Sequence, residues 1–288
     1  MKVRIAVGLG GTAVDGPGFA GLVSDLAEFG FDSLWVSEVL TGPGPDPLIA
    51  LATAAQLHPK LKLGTTLLLP GRNELRLAKA LATLDVLSGG RLLLTMVPGI
   101  ARGLERDAVG VPVGDRAGAI ERTMPRLRQW WAGEAVDGVR IEPLPVQQPL
   151  EMWLGGLAPA SLDRCGRLAD GWLGASCTVG EARTAIAAIR SAAAAAGRAI
   201  DPEHFGMSIA YTPDPLSDAQ RDALAARLGR RGVDPAALVP VGGARLRELI
   251  ERFVEVGISK FVVRRIGSPT SWRSELEALA VAVGDLQT

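Results

Sequence analysis

A (β/α)8 TIM barrel is the fold class this sequence predicts, on three observations. Apolar strand-like runs and amphipathic helical runs alternate along the 288 residues in eight pairs, and such alternation requires a parallel sheet, which eight units close into a barrel. Several runs are apolar at consecutive positions, as in Leu67-Leu68-Leu69 and Leu92-Leu93-Leu94, the mark of strands covered on both faces. The rival, an open doubly wound sheet, calls for a GxGxxG turn, and Gly8-Leu9-Gly10-Gly11 lacks the third glycine at that spacing. No linker or change of composition divides the chain, so one domain over 1–288 is expected.

The elements follow in order. Residues 3–8 read as the first strand and 18–29 as its helix. The second pair is 33–36 with 47–57, where Asp46 is placed as N-cap and Pro47 takes the first helical position. The third is 61–69 with 73–87, joined by the turn Pro70-Gly71-Arg72, and Ser88-Gly89-Gly90-Arg91 hands over to a fourth strand at 92–97. A loop over 98–115 precedes the helix 116–131. The fifth pair is 149–154 with 159–168; the sixth is 171–175 with 178–196, opened by the capping box Thr178-Val179-Gly180-Glu181. A seventh strand at 205–210 leads to helices at 217–230 and 244–256, and an eighth at 261–264 to a helix near 270–283.

Composition narrows the function. The 31 basic and 31 acidic residues balance, which removes long-range attraction to nucleic acid or an anionic membrane. Five lysines beside twenty-six scattered arginines read as GC-rich coding rather than a binding patch. Cys165 and Cys177 are too few for a disulfide framework and stand in no CxxC or Cys/His cluster, so no metal site is expected. No apolar run reaches the roughly 18 residues of a membrane span. MKVRIAVGLGG is too short in apolar residues for a signal peptide, and a cytoplasmic location is the expectation.

In such barrels the active site is built from the loops that follow the strands. His58 and His204 precede the third and seventh strands, at the other end, where capping or packing is the expected role. The usual acid–base and triad chemistries therefore lack their histidine. A bound redox cofactor, which asks the protein for position and electrostatics, fits that poverty. Gly155-Gly156 admits a close backbone approach to a ligand or is a bare tight turn. Ser176 and Thr178 open a helix whose free N–H groups suit a phosphate, a role compatible with plain capping by Thr178. Arg72, Arg102 and Arg264 pair with phosphates or substrate carboxylates, or stand as solvated surface residues. Cys177 is expected to be a passive thiol.

The stretch 61–91, LKLGTTLLLPGRNELRLAKALATLDVLSGGR, closely resembles the central segment of the luciferase-like monooxygenase family. The resemblance continues through Trp35-Val36-Ser37-Glu38, Asp46-Pro47, Pro98-Gly99, Asp115-Arg116, Trp153-Leu154-Gly155-Gly156 and Asp170-Gly171-Trp172. It implies a barrel, commonly a homodimer, that places a flavin or the deazaflavin coenzyme F420 over its mouth. By the same resemblance, Thr66 and Leu67 fall where a non-proline cis peptide bulges beneath the ring, and Glu38 where an acidic residue lies near it. Pro98 and Gly99 fall beside the ring, and Gly155, Gly156 and Leu157 at the tail and phosphate. Ser176 and Thr178 occupy the flavin-phosphate region of some members.

Three positions depart from the family pattern. Val39 stands where several members carry histidine, the stretch 95–99 has lost glycines, and Ile100 replaces the glutamate of sugar-phosphate-oxidising relatives. The cofactor frame carries over and their proton transfer does not. The expected function is F420-dependent hydride transfer to or from a small organic substrate, with Glu38 as the candidate catalytic group. The alternatives are an FMN-dependent monooxygenase fed by a separate reductase, and a cofactor-binding barrel without turnover.

Overall fold

The computed structural model describes residues 1–99, 105–228, 233–234 and 237–288. Eight strands close into a barrel in chain order, each parallel to its neighbours: β1 (Arg4–Gly8), β2 (Ser33–Ser37), β3 (Lys62–Leu68), β4 (Leu92–Val97), β5 (Met152–Gly155), β6 (Gly171–Ala175), β7 (Phe205–Tyr211) and β8 (Lys260–Arg265). β1 pairs with β8 through Arg4↔Lys260 to Val7↔Val263, which removes both sheet edges. Around them run α1 (Gly16–Glu28), α2 (Pro47–Leu57), α3 (Glu74–Ser88), α4 (Glu105–Ala108), α5 (Arg116–Trp131), α6 (Pro159–Leu168), α7 (Val179–Ala195), α8 (Asp218–Leu228), α9 (Gly242–Glu255) and α10 (Trp272–Val283). No described helix is long and apolar enough to cross a membrane.

Local chemistry sets the helix starts. Asp15, Asp46, Asn73, Thr178 and Ser271 each accept a backbone N–H of the turn they precede. At the end of α3, Gly89 and Gly90 adopt φ of 65° and 77°, a left-handed exit open to glycine. Arg91 then donates to the carbonyls of Ala55, His58 and Leu61, closing the end of α2 at the amino-terminal face of the barrel. The SGGR motif is therefore scaffold.

Outward-facing residues of the strands join the helices in one large core. The lumen holds a separate cluster built on Trp35 and Trp153, with Ala6, Leu173 and Val262. Each tryptophan fits because glycine faces it: a Cβ on Gly64 would lie 1.9 Å from Trp35, and one on Gly171 2.4 Å from Trp153. Beneath this layer Lys260 is buried and bonds Asp32 at 2.7 Å, while Lys62 bonds the other carboxylate oxygen at 2.8 Å. Burial works to raise the Asp32 pKa, but Lys260 and Lys62 outweigh it and hold the carboxyl down at about 2.

Most element bounds lie within two residues of expectation, and larger differences fall at β5 and in the loop after β4. β5 begins at Met152 rather than 149, because Pro149 has no N–H for the ladder. Within the loop expected at 98–115, α4 and a 3-10 turn at Val113–Asp115 form, a local packing that periodicity does not reveal. α8 occupies Asp218–Leu228 of the helix expected over 217–230, whose last two residues lie outside the described ones.

Candidate active site

Strand alternation puts Ser37, Thr66, Val97, Gly155, Ala175, Ser208 and Arg264 on the lumen face, toward the carboxyl-terminal ends. Unlike the tryptophan layer below, all of them are at least partly open to solvent. The barrel therefore ends in a shallow bowl whose floor is small and neutral except at Arg264. Trp35 Nε1 donates to Thr66 Oγ1 at 3.0 Å and ties the floor to the layer beneath. Thr95, the register partner of Thr66, is buried with a hydroxyl that has no hydrogen-bond partner.

The residues expected at the site divide into groups. Glu38 does not face the bowl as an available acid. One carboxylate oxygen accepts the Leu68 N–H at 2.7 Å and the other is ion-paired with Arg72, whose Nε also bonds the Leu68 carbonyl at 2.9 Å. With its side chain only 6% exposed, Glu38 straps the end of β2 to the end of β3. Arg72 thereby has a structural partner.

Thr66 lies on the floor, but Leu67 points into the outer core. The expected cis peptide between them is absent: among the described residues the cis bonds are Glu142–Pro143 and Gln148–Pro149. Thr66↔Thr95 and Leu67↔Met96 sit in unbroken register with β4, which leaves β3 no slack for a bulge.

Pro98 and Gly99 follow β4 at the rim, and Gly99 has φ of 82°. They are held from behind by Arg116, which is buried and donates to the carbonyls of Pro98 at 3.3 Å, Val111 at 3.0 Å and Arg106. Sequence reading placed Arg116 at a helix start and missed this role. Ile100 and Arg102 lie outside the described residues.

Gly155, Gly156 and Leu157 form the rim above β5. A Cβ on Gly155 would lie 2.9 Å from Val97 Cγ1, and Gly156 takes φ of 117°, so both positions need glycine. Trp172 Nε1 fixes the Gly156 carbonyl at 2.9 Å. The following helix, α6, starts without a side-chain cap. α7 is the opposite case. Thr178 Oγ1 accepts the Glu181 N–H at 3.3 Å, and Glu181 accepts the Thr178 N–H at 2.8 Å. Thr178 is thus spent on capping, and an internal carboxylate already sits on the N-terminus proposed for phosphate. Of the two anion places expected, the α6 end remains open.

Ser176 stands in the left-handed region, φ 52°, and with buried Cys177 lines a cavity of about 510 Å³. This cavity lies on the β6–β7–β8–β1 side of the mouth, so it brings Ser176 together with Arg264 and leaves Glu38, Thr66, Pro98 and Gly155 on the other side. Ser208 and the apolar wall from α8 and α9 were missed. The signal for Ser208 was present in FGMSIAY, where small residues alternate with large ones. His58 and His204 serve the far end: His58 Nδ1 accepts the Leu61 N–H at 3.1 Å, and His204 Nδ1 lies 3.0 Å from the Asp170 carbonyl.

A floor of small side chains, neutral except at Arg264, a glycine rim that side chains would fill, and an uncapped helix start beside it together suit a planar ring carrying an anionic tail. The sequence profile of the luciferase-like monooxygenases matches residues 8–279. A 5,10-methylenetetrahydromethanopterin reductase of Methanolobus tindarius is 27% identical over 237 residues, covering 75% of this chain and 71% of its own. An F420-dependent glucose-6-phosphate dehydrogenase of Nakamurella multipartita is 28% identical over 215 residues, covering 62% of this chain and 60% of that protein. Among solved structures, an F420-dependent secondary alcohol dehydrogenase in complex with an F420–acetone adduct superposes with a TM-score of 0.81 at 18% identity, covering both chains fully.

Proposed function

The chain belongs to the luciferase-like monooxygenase family and is an enzyme, and on that premise we propose that it is an F420-dependent oxidoreductase acting on a small organic substrate. The observation that carries this reading is the bowl: a floor of small side chains, neutral except at Arg264, with a glycine rim and, among the described residues, no histidine or available carboxylate facing it. The coenzyme, when bound, supplies the hydride chemistry. The chain's part is position. Ser37, Thr66 and Val97 give the ring its bed, and Pro98 and Gly99 wall one edge, braced by Arg116. Gly155, Gly156 and Leu157 with the start of α6 receive the tail. Glu38 and Arg72 keep the β2 and β3 ends at fixed separation, so Glu38 acts as a positioning residue. Among the described residues Ser37, Thr66 and Ser208 bring hydroxyls to the floor, beside the Arg264 guanidinium.

An isoalloxazine fits the same bed, which keeps an FMN-dependent monooxygenase with a separate reductase as the second reading. Membership among enzymes sets aside a barrel without turnover. Titration with F420 and with FMN, read by ring fluorescence, separates the two. Saturable F420 binding with weaker FMN supports hydride transfer, the reverse moves the reading to the monooxygenase, and binding of neither overturns both.

The whole of 1–288 is taken as one cytoplasmic catalytic unit that works as a homodimer. α2 carries no charged residue, and its outer face leaves Ile49 71% and Leu57 46% exposed beside Leu87 of α3 at 52%. An uncharged helix open to water on that scale favours a covering partner.

A further inference from the structure

We infer that the barrel lumen holds a structural water at the tryptophan layer, bound between the Thr95 hydroxyl and the Lys260 ammonium. The inference stands apart from the hydride-transfer reading: it rests on the lumen alone and holds for any ring that lies on the floor.

Two polar groups with capacity to spare meet in one place. Thr95, Lys260 and Glu151 line a small cavity together with Trp35 and Trp153. Thr95 is fully buried, and its hydroxyl has no hydrogen-bond partner among the described residues. The other buried threonines behave differently. Thr65 donates to the Val36 carbonyl at 2.8 Å, Thr123 to Glu74 at 2.6 Å and Thr212 to the Asp214 carbonyl at 2.7 Å. An interior hydroxyl left unmatched is costly, so Thr95 calls for a partner that the chain does not supply. Lys260 is the second group. It is buried, and among the described residues its hydrogen-bond acceptor is Asp32, at 2.7 Å. An ammonium has three N–H groups to place.

Size and charge select the occupant. The cavity offers about 20 Å³ for the centre of a water-sized molecule, and one water needs about 10–15 Å³ on that scale. The Lys260 cation repels a metal ion. Asp32 answers its charge and Glu151 adds a negative group to the wall, so no positive excess remains for chloride. A neutral molecule that both donates and accepts is left. Water accepts from Lys260 and shares a hydrogen bond with Thr95, with the Glu151 carboxylate as a further acceptor on the wall. Polar cavities with such partners fill, while apolar ones stay dry. The site lies one step below the floor: Thr95 precedes Val97 by two residues on the same face of β4 and pairs in register with Trp153. The water therefore fastens the tryptophan layer from beneath, which makes Thr95 a positioning residue.

The test is oxygen-17 magnetic relaxation dispersion, which counts long-lived internal waters, on the unaltered protein, Thr95→Val and Thr95→Ser. Thr95→Val keeps the shape and loses the hydroxyl, and it should lose one long-lived water. Thr95→Ser should keep that water. Thermal unfolding supplies a second readout by its sign. A bridged hydroxyl makes Thr95→Val unfold at a lower temperature than the unaltered protein. A hydroxyl without a partner makes it unfold at the same temperature or higher, because removing an unmatched polar group relieves the cost of burying it. An unchanged water count, or a midpoint for Thr95→Val equal to or above that of the unaltered protein, overturns the inference. Crystals of the unaltered protein soaked in bromide decide the occupant without any variant. A water-sized peak within about 3 Å of both Thr95 Oγ1 and Lys260 Nζ is expected. An empty cavity, or an anomalous bromide peak in it, overturns the inference as well.

Discussion

Glu38 shows how a residue of the expected chemical type can be engaged in holding the site together. Its two oxygens are occupied by the Leu68 N–H and by Arg72, in a pocket that leaves the side chain 6% exposed. Breaking a buried pair leaves a charge without its partner, so Glu38→Ala should cost about 3–5 kcal/mol in urea unfolding. Loss of activity at unchanged unfolding free energy would instead make Glu38 a direct participant. Asp32 makes a second case at the far end of the barrel. Its folded pKa of about 2 lies below the ordinary 3.8, so its contribution is complete above pH 3.8 and disappears as pH falls through about 2. That stabilisation amounts to about 2 kcal/mol. Asp32→Asn should lower stability at neutral pH and flatten the loss between pH 4 and 2, because Lys260 then lies buried without its counter-charge. An acid unfolding profile unchanged by the substitution would contradict the pairing.

At the scale of elements, two helix starts of similar sequence position do different work. α7 is closed by its own capping box, so Thr178→Ala should cost about 1 kcal/mol of stability and leave ring binding alone. α6 has no side-chain cap and follows glycine at φ 117°, so Gly156→Ala should reduce cofactor affinity by roughly tenfold or more while the barrel stays folded. Binding titrations on the two variants check both, and equal losses would remove the distinction. What was legible in the sequence follows the same line. The capping box, the Asp46–Pro47 start and the Gly89–Gly90 exit are local, and each is where the residues put it. The seating of Trp35 on Gly64 and of Arg264 beside Ser208 depends on strand closure, and no short window contains both partners. The straight β3 was hidden for a related reason: ladder register with β4 is a property of two strands.

For the molecule as a whole, the segment that speaks most clearly for the family lies mostly away from the chemistry. Asp85 of α3 binds the Gln147 N–H at 2.9 Å and its side-chain amide at 2.7 Å, and Arg91 closes α2, so much of 61–91 fastens helices to the amino-terminal face. A fold can be recognised from its fasteners while its substrate is set by the opposite rim. The outer face of α2 makes the remaining prediction. Ile49→Glu should convert a dimer to monomer in sedimentation at micromolar concentration, and a chain already monomeric there would refute the paired assembly.

The tryptophan layer has one more effect, on traffic. Among the described residues, Trp35 and Trp153 fill the lumen above the Asp32–Lys260 pair and block passage to the bowl through the barrel. Among the described residues the carboxyl-terminal mouth is the open end of the lumen. On the proposed reading the ring lies on the bowl's floor and the substrate comes to it from the same mouth, so steady-state kinetics should show coenzyme entering before substrate and product leaving before coenzyme.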